Sequence, residues 1–371
     1  MQYPQRNPLT MPEGGAFRSV RSTISTIFDW QYALEERKLM ALYEKGTRLQ
    51  WRAEDLDWSV DVDIERMARE NATDDFMNDV MLAPRRLSMD EAVTFRLHSV
   101  AFMLSQFLHG EQGALVASAR IVQSVPWEEA KFYAANQVAD EARHVEVYHR
   151  YLTEKLAVNY PVHPDLQVLL DQIVEDSRWD ITYLGMQILV EGLALAAFGT
   201  MRITMPNEPL LMDITERIMA DEARHVAFGV LSLQKLYQGE LSSAERRERE
   251  EFVIEAIRLL HGRLLMDPVF ERLGWDLSVW RPWNEQNAFQ KGFRQMMFTK
   301  IVPNLKRLGL LSPQVRECLA ELDLLRFEDG KDSVEEPGVA PPEELIALMN
   351  DYLGTSGPQH ADGSLRIVPG G

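Results

Sequence analysis

Six residues occur twice in this chain of 371: Asp140-Glu141-Ala142-Arg143-His144-Val145 and Asp221-Glu222-Ala223-Arg224-His225-Val226. A self-match of this length is read as an internal repeat. Each copy contains Glu-x-x-His, and in a helix positions i and i+3 share a face. Glu141 with His144, and Glu222 with His225, therefore each present one carboxylate and one imidazole to a common point. The neighbours Ala139, Ala142, Val145, Ala220, Ala223, Val226 and Ala227 are apolar, which predicts a buried face. A buried carboxylate without a partner is costly. Two of them, each beside an imidazole, require a cation.

A lone glutamate precedes each copy in an apolar, small-residue segment: Glu111 within 107–115 and Glu191 within 188–197. Both carry Ala at i+3 and i+6, namely Ala114 and Ala117, Ala194 and Ala197. Glu111 precedes Glu141 by 30 residues and Glu191 precedes Glu222 by 31. Pro126 lies 15 residues from both Glu111 and Glu141, and Pro206 lies 15 after Glu191 and 16 before Glu222. If each proline region turns a helical hairpin, both glutamates of a pair stand about 22 Å from the turn, at 1.5 Å per residue, and meet at one level. Four Glu and two His from four helices form the ligand set of carboxylate sites that hold two iron or manganese ions. The expected ligands are Glu111, Glu141, His144, Glu191, Glu222 and His225. Asp140 and Asp221 are expected to support them, since a metal-bound imidazole usually donates its other N–H to a carboxylate. The expected pattern is crossed, Asp140 to His225 and Asp221 to His144; the alternative pairs each Asp with Arg143 or Arg224.

Strand signals are nearly absent, so the expected class is all-α. Ser88 with Glu91 and Ser242 with Glu245 form capping boxes that open helices. The first is expected to run to about Ser124, the second from Pro126 to before Pro161, a third apolar region over about Asp165 to Met201, and the fourth over about Leu210 to Tyr237. The expected organisation is an N-terminal extension over 1–85, a four-helix bundle over 86–238, a C-terminal helical extension over 239–354 and a flexible tail over 355–371. Phe28, Trp30, Leu34, Leu39, Leu42 and Tyr43 recur at roughly helical spacing in the extension, and Ser312-Pro313 and Pro341-Pro342 read as helix starts. Cys318 is the one cysteine, so an internal disulfide and a thiolate metal cluster are excluded and a cytoplasmic setting is expected. The formal net charge of -18 argues against nucleic acid and anionic membranes as partners. The longest apolar stretches are expected to carry too many charges to span a bilayer.

At the glutamates and histidines the chain resembles the ferritin-like, carboxylate-bridged di-iron superfamily, which includes the ribonucleotide reductase small subunit, bacterial multicomponent monooxygenase hydroxylases, acyl carrier protein desaturases, rubrerythrins and N-oxygenases. The resemblance covers about Ser88 to Tyr237, with a weaker match over Leu42 to Ser59 to the N-terminal segment of reductase-like oxidases. It implies a ferritin-like bundle with added helices at both ends and a homodimer. Departures narrow the subfamily. Ile218 stands where aminobenzoate-type N-oxygenases carry an extra His, and Leu195 where monooxygenase hydroxylases often carry Thr. Tyr148, four residues after His144, matches the radical tyrosine of reductase subunits.

The expected function is an O2-activating oxidoreductase with two Fe ions, or Mn or mixed Mn/Fe, acting on a small organic or lipid-like substrate, with O2 as co-substrate and an external electron donor. Hard oxygen donors with two imidazoles suit these metals. The alternative is a radical-bearing subunit that uses Tyr148. Iron storage, ferroxidase and Mn catalase chemistry rank behind both; storage cages use compact four-helix subunits, and this chain adds about 130 residues after the bundle. Phe107, Leu115 and Leu195, one turn from Glu111 or Glu191, are the expected walls of a substrate pocket.

Overall fold

The computed structural model describes residues 18–205 and 207–336. Among them there is no strand. The helices used below are α1 (Arg37–Arg48), α2 (Met89–Ser124), α3 (Glu128–Arg150), α4 (Pro164–Glu175), α5, α6 (Pro209–Lys235) and α7 (Ser243–Gly262). Helix α5 runs as Trp179–Tyr183, a π-helical stretch Leu184–Val190 and Glu191–Thr204.

Helices α2, α3, α5 and α6 form the bundle. Ser88 opens α2 as expected, its hydroxyl accepting from the Glu91 N–H while Glu91 accepts from the Ser88 N–H. The α2 to α3 connection contains Pro126, and α5 passes to α6 in a few residues, so both hairpins form; Pro206 itself lies outside the described residues. Gly229 lets α6 approach α5, because a Cβ there would lie 2.6 Å from Cβ of Gln187. Helix α1 packs on α3 and α6, and α7 packs on α4 and on the π-helical part of α5.

The apolar region expected over Asp165 to Met201 is two helices. Asp176 breaks it, its carboxylate accepting the Arg178 backbone N–H at 2.8 Å in an Asx turn. The extension helix is also shorter than its apolar spacing predicts and begins only at Arg37. Upstream, Asp29 accepts the Gln31 N–H and Tyr32 takes a left-handed φ of 54°, so Phe28, Trp30 and Leu34 lie in non-helical chain and are exposed. The helix begun at Pro313 ends at Glu321. Pro341-Pro342 and the tail lie outside the described residues. Among the described residues one helix, Trp179–Arg202, is in fact long and apolar enough to cross a membrane by length and composition, because Asp180 and Glu191 are its only charges before Arg202. Of its most apolar window, 94% is buried inside the structure, as for a core helix of the bundle.

Candidate metal centre

The six predicted residues converge at mid-bundle. Glu111 comes from α2, Glu141 and His144 from α3, Glu191 from α5, and Glu222 and His225 from α6, and all six are buried. Ligand atoms of Glu111, Glu141, His144 and Glu222 lie within 4.8 Å of one another, and so do those of Glu141, Glu191 and His225. Glu141 belongs to both groups. Its Oε2 lies 3.3 Å from His144 Nδ1 and its Oε1 lies 3.1 Å from His225 Nδ1. Glu222 Oε1 also faces both rings, at 3.3 and 3.6 Å. Glu141 and Glu222 thus occupy the middle, with Glu111 on the His144 side and Glu191 on the His225 side.

The Nε2 edges of both rings face aspartates in the crossed pattern. His144 Nε2 lies 3.2 Å from Asp221 Oδ2, and His225 Nε2 lies 3.2 Å from Asp140 Oδ2. A carboxylate only accepts, so each Nε2 donates outward and each Nδ1 turns inward, where its lone pair serves a metal once that nitrogen is free of a proton. The alternative pairing is present too: Arg143 donates to Asp140 and Arg224 to Asp221. Each Asp has two oxygens, so one can hold an arginine while the other orients a histidine.

Several contacts here have no signal in the repeated motif. Trp51 Nε1 donates to Asp221 at 2.8 Å and Gln50 Nε2 donates to Asp140 at 2.6 Å, so adjacent residues of the N-terminal segment tie down both aspartates. The Trp51 ring stacks near His144, with centroids 6.3 Å apart, beneath the Arg143 guanidinium. Gln137 Nε2 donates to both Glu141 and Glu191 at 2.9 Å. A signal for Gln137 exists, since positions 137, 141 and 144 share one helical face. Trp51 and Gln50 reach the centre through tertiary packing alone.

The donor set fits a pair of cations. Glu141 Oε2, Glu191 Oε2, both oxygens of Glu222 and Nδ1 of His225 are buried and make no hydrogen bond among the described residues. Burial, with Glu222 and Glu141 beside them, holds the carboxyls of Glu111 and Glu191 well above the usual range. Burial acts the same way on Glu141 but is outweighed by His225 and His144, which bring it below that range. Burial also disfavours charge on His144 and His225, yet Glu111 at one ring and Glu141 at the other keep both raised. Protons thus compensate the acids where divalent cations would do so more completely.

Tyr148 is fully buried and its hydroxyl makes no hydrogen bond among the described residues. Its ring lies 6.0 Å from Phe107 and 6.2 Å from Phe198, and burial and Glu111 hold its phenol far above its ordinary value. A small cavity, about 20 Å³, opens beside Glu111, Glu191 and Glu222, lined also by Gln106, Phe107, Gly110, Ala114, Val190, Ala194 and Arg263. Phe107 lines it as expected. Leu115 and Leu195 do not: Leu115 is half-buried elsewhere, and Leu195 packs with Ala223 and Val226. The reason is helical phase. The cavity lies on the side of positions i−1 and i+3 from each glutamate, about 60 to 100° from it, whereas i+4 is displaced the other way.

One Glu from each of two helices plus Glu-x-x-His from each of the other two, all turned inward, is the ferritin-like arrangement. No family model and no curated protein matches the sequence. Among solved structures the chain is similar to variants of R2-like ligand-binding oxidase: one with an anaerobically reconstituted Mn/Fe cofactor, at 17% identity and TM-score 0.48, covering 74% of this chain and 93% of that one, and one with a non-activated Mn/Mn cofactor, at 17% identity and TM-score 0.47 with the same coverage.

Proposed function

We propose that the protein is a di-metal, O2-activating oxidoreductase that acts on a small organic substrate. The observation that carries this reading is the convergence of four buried glutamates and two histidines with inward-turned Nδ1 atoms, beside a cavity. Glu111, Glu141, His144 and Glu222 would hold one ion and Glu141, Glu191, Glu222 and His225 the other, with iron or manganese the metals suited to these donors. When bound, a pair of such reduced ions supplies two electrons to O2. The protein's own part is to fix the ligands through Asp140, Asp221 and Gln137 and to exclude water with Phe107, Ala114, Val190 and Ala194.

The test is metal analysis followed by anaerobic iron(II) loading and exposure to O2. Two ions per chain and an optical change that substrate accelerates are expected; Glu141→Ala should abolish both. Well under two ions per chain, unchanged by Glu141→Ala, would remove the reading. A second reading, a radical-bearing subunit, is favoured by one observation, the buried and unbonded Tyr148 hydroxyl near Glu111. It predicts a tyrosyl radical signal after O2 exposure that Tyr148→Phe eliminates; in the oxygenase reading Tyr148 is a core aromatic packed against Phe107 and Phe198 and no such signal forms.

A further inference from the structure

Polar side chains line the seam between α5 and α6 level by level, in antiparallel register. Glu191 stands opposite His225 at the candidate centre. One turn away Gln187 faces Gly229, where an added Cβ would lie 2.6 Å from that of Gln187. The next level pairs Tyr183 with Ser232, close enough for the Ser232 hydroxyl to ease the burial that holds the phenol far above its ordinary value. At the last, the Tyr237 hydroxyl, just past α6, donates to Asp180 at 3.0 Å. Asp180 also accepts from Arg249 of α7 at 2.9 and 3.1 Å, and Arg249 in turn approaches the exposed Glu248. Glu191 and Asp180 are 11 residues apart, so the row is about 16 Å long at 1.5 Å per residue.

Between its ends the row is not hydrogen-bonded. Both amide atoms of Gln187 and the hydroxyls of Tyr183 and Ser232 are buried and make no hydrogen bond among the described residues. The same holds for the hydroxyl of Tyr133, whose ring centroid lies 4.3 Å from that of Phe228, the ring that Tyr183 also packs on. A buried amide with donor and acceptor both unmet loses its hydration without return, and native proteins rarely leave such groups a turn apart. The other hairpin provides an internal comparison. Counted back from Glu111 as from Glu191, Phe107, Met103 and Val100 stand where α5 has Gln187, Tyr183 and Asp180, and Tyr148 stands where α6 has Gly229. Bundle packing alone therefore does not call for Gln, Tyr and Asp on this face of α5. Exchange of a Phe and Tyr pair for Gln and Gly also leaves less side chain between the helices.

We propose that this seam holds a row of ordered waters that carries protons between the Glu191 side of the centre and solvent at the Asp180 and Arg249 end. Waters are retained where several buried polar groups converge. Gln187 offers both a donor and an acceptor and so orients a water without exchanging protons itself. Each water and each hydroxyl accepts one proton on one side and releases one on the other, so one proton crosses per pass and no group on the row ends with a changed charge. At the outer end Tyr237 passes its proton to Asp180 and takes another from the row, and Asp180 releases the proton to bulk water beside Glu248. The waters stay in the seam, apart from the apolar cavity wall at Phe107 and Val190. The role of the row, though not its waters, rests on reading its inner end as a metal centre, which sheds protons as ions bind.

The test has two arms, both on the full chain. In the metal-free protein, magnetic relaxation dispersion of water counts long-lived internal waters, and Gln187→Leu and Ser232→Ala should each lower the count. In the second arm a pH indicator in stopped flow follows the protons shed as zinc binds, which involves no redox chemistry. Gln187→Leu and Tyr183→Phe, which keeps the ring, should slow that release at least roughly 10-fold, the effect of about one hydrogen bond lost from the transfer step. Both should leave its amplitude and the zinc stoichiometry unchanged and enlarge its solvent isotope effect in deuterium oxide. Met103→Leu, at the matching level of α2, should alter neither the count nor the rate. No internal waters, or the same count in Gln187→Leu as in the natural chain, would overturn the row. Waters present but proton release equally fast in every variant would overturn its part in proton transfer. If zinc does not bind, the metal reading falls and the water count decides the row by itself.

Discussion

Asp221 accepts from Trp51, His144, Arg143 and Arg224, so a single carboxylate gathers the N-terminal segment and two bundle helices at one point. Burial works against its ionisation, but the His144 hydrogen bond and charge, with Arg224, keep it well below the usual range. Asp221→Asn preserves shape and loses the charge that orients His144. It should weaken metal retention roughly 10- to 100-fold, measured by competition with a chelator; unchanged retention would show that Asp221 serves only its arginines. Trp51→Phe removes one donor to Asp221 and keeps an aromatic ring beside His144. It should leave metal stoichiometry at two per chain and weaken metal retention less than Asp221→Asn does, measured by the same chelator competition. The convergence of the six side chains was legible because chemistry and spacing coincide in sequence. Arg263 was not, since a single arginine after a charged helix reads as solvated surface, and only the packing of α7 reveals what it faces.

Within the elements, a buried ion pair sets the position of α7. Arg249 and Asp180 are both nearly inaccessible, and Tyr237 adds a hydrogen bond to Asp180 at 3.0 Å. Arg249→Ala would leave Asp180 charged and buried and should destabilise the fold by about 3 to 5 kcal/mol, read as a lower melting temperature, with Arg249→Met less damaging. Gly229→Ala should cost about 1 to 3 kcal/mol by overpacking, since its Cβ would press on Gln187. Helix starts were legible through Ser88 and Ser242, whose capping boxes form as expected. Breaks were less so. The Asx turn at Asp176 carries no proline, and the π-helical stretch Leu184–Val190 before Glu191 reads in sequence as uninterrupted helix. Such stretches often sit at functional sites, and this one sets the angular position of Glu191.

For the molecule as a whole, the proposed metal binding is linked to protons. Without cations the centre keeps protons on Glu111, Glu191, His144 and His225, each raised above its ordinary value. Those protons must leave before the atoms can ligate, so apparent metal affinity should rise with pH. Zinc titrations near neutrality should release protons, seen as a heat that scales with the ionisation enthalpy of the buffer; a heat independent of buffer would contradict the protonation described. Loading should also raise the melting temperature in proportion to the logarithm of free metal.

The crossed aspartate and histidine contacts have a further consequence. Asp140 meets His225 across 85 residues of chain and Asp221 meets His144 across 77. Residue i of one copy touches j of the other while j of the first touches i of the second, which is the signature of an isologous two-fold interface. A two-helix ancestor carrying one copy would have built this centre as a symmetric homodimer, with neither hairpin able to orient its own histidine. In one chain the two copies need not stay identical, and Gln137 opposite Ile218, at equivalent positions four residues before Glu141 and Glu222, is a place where they differ.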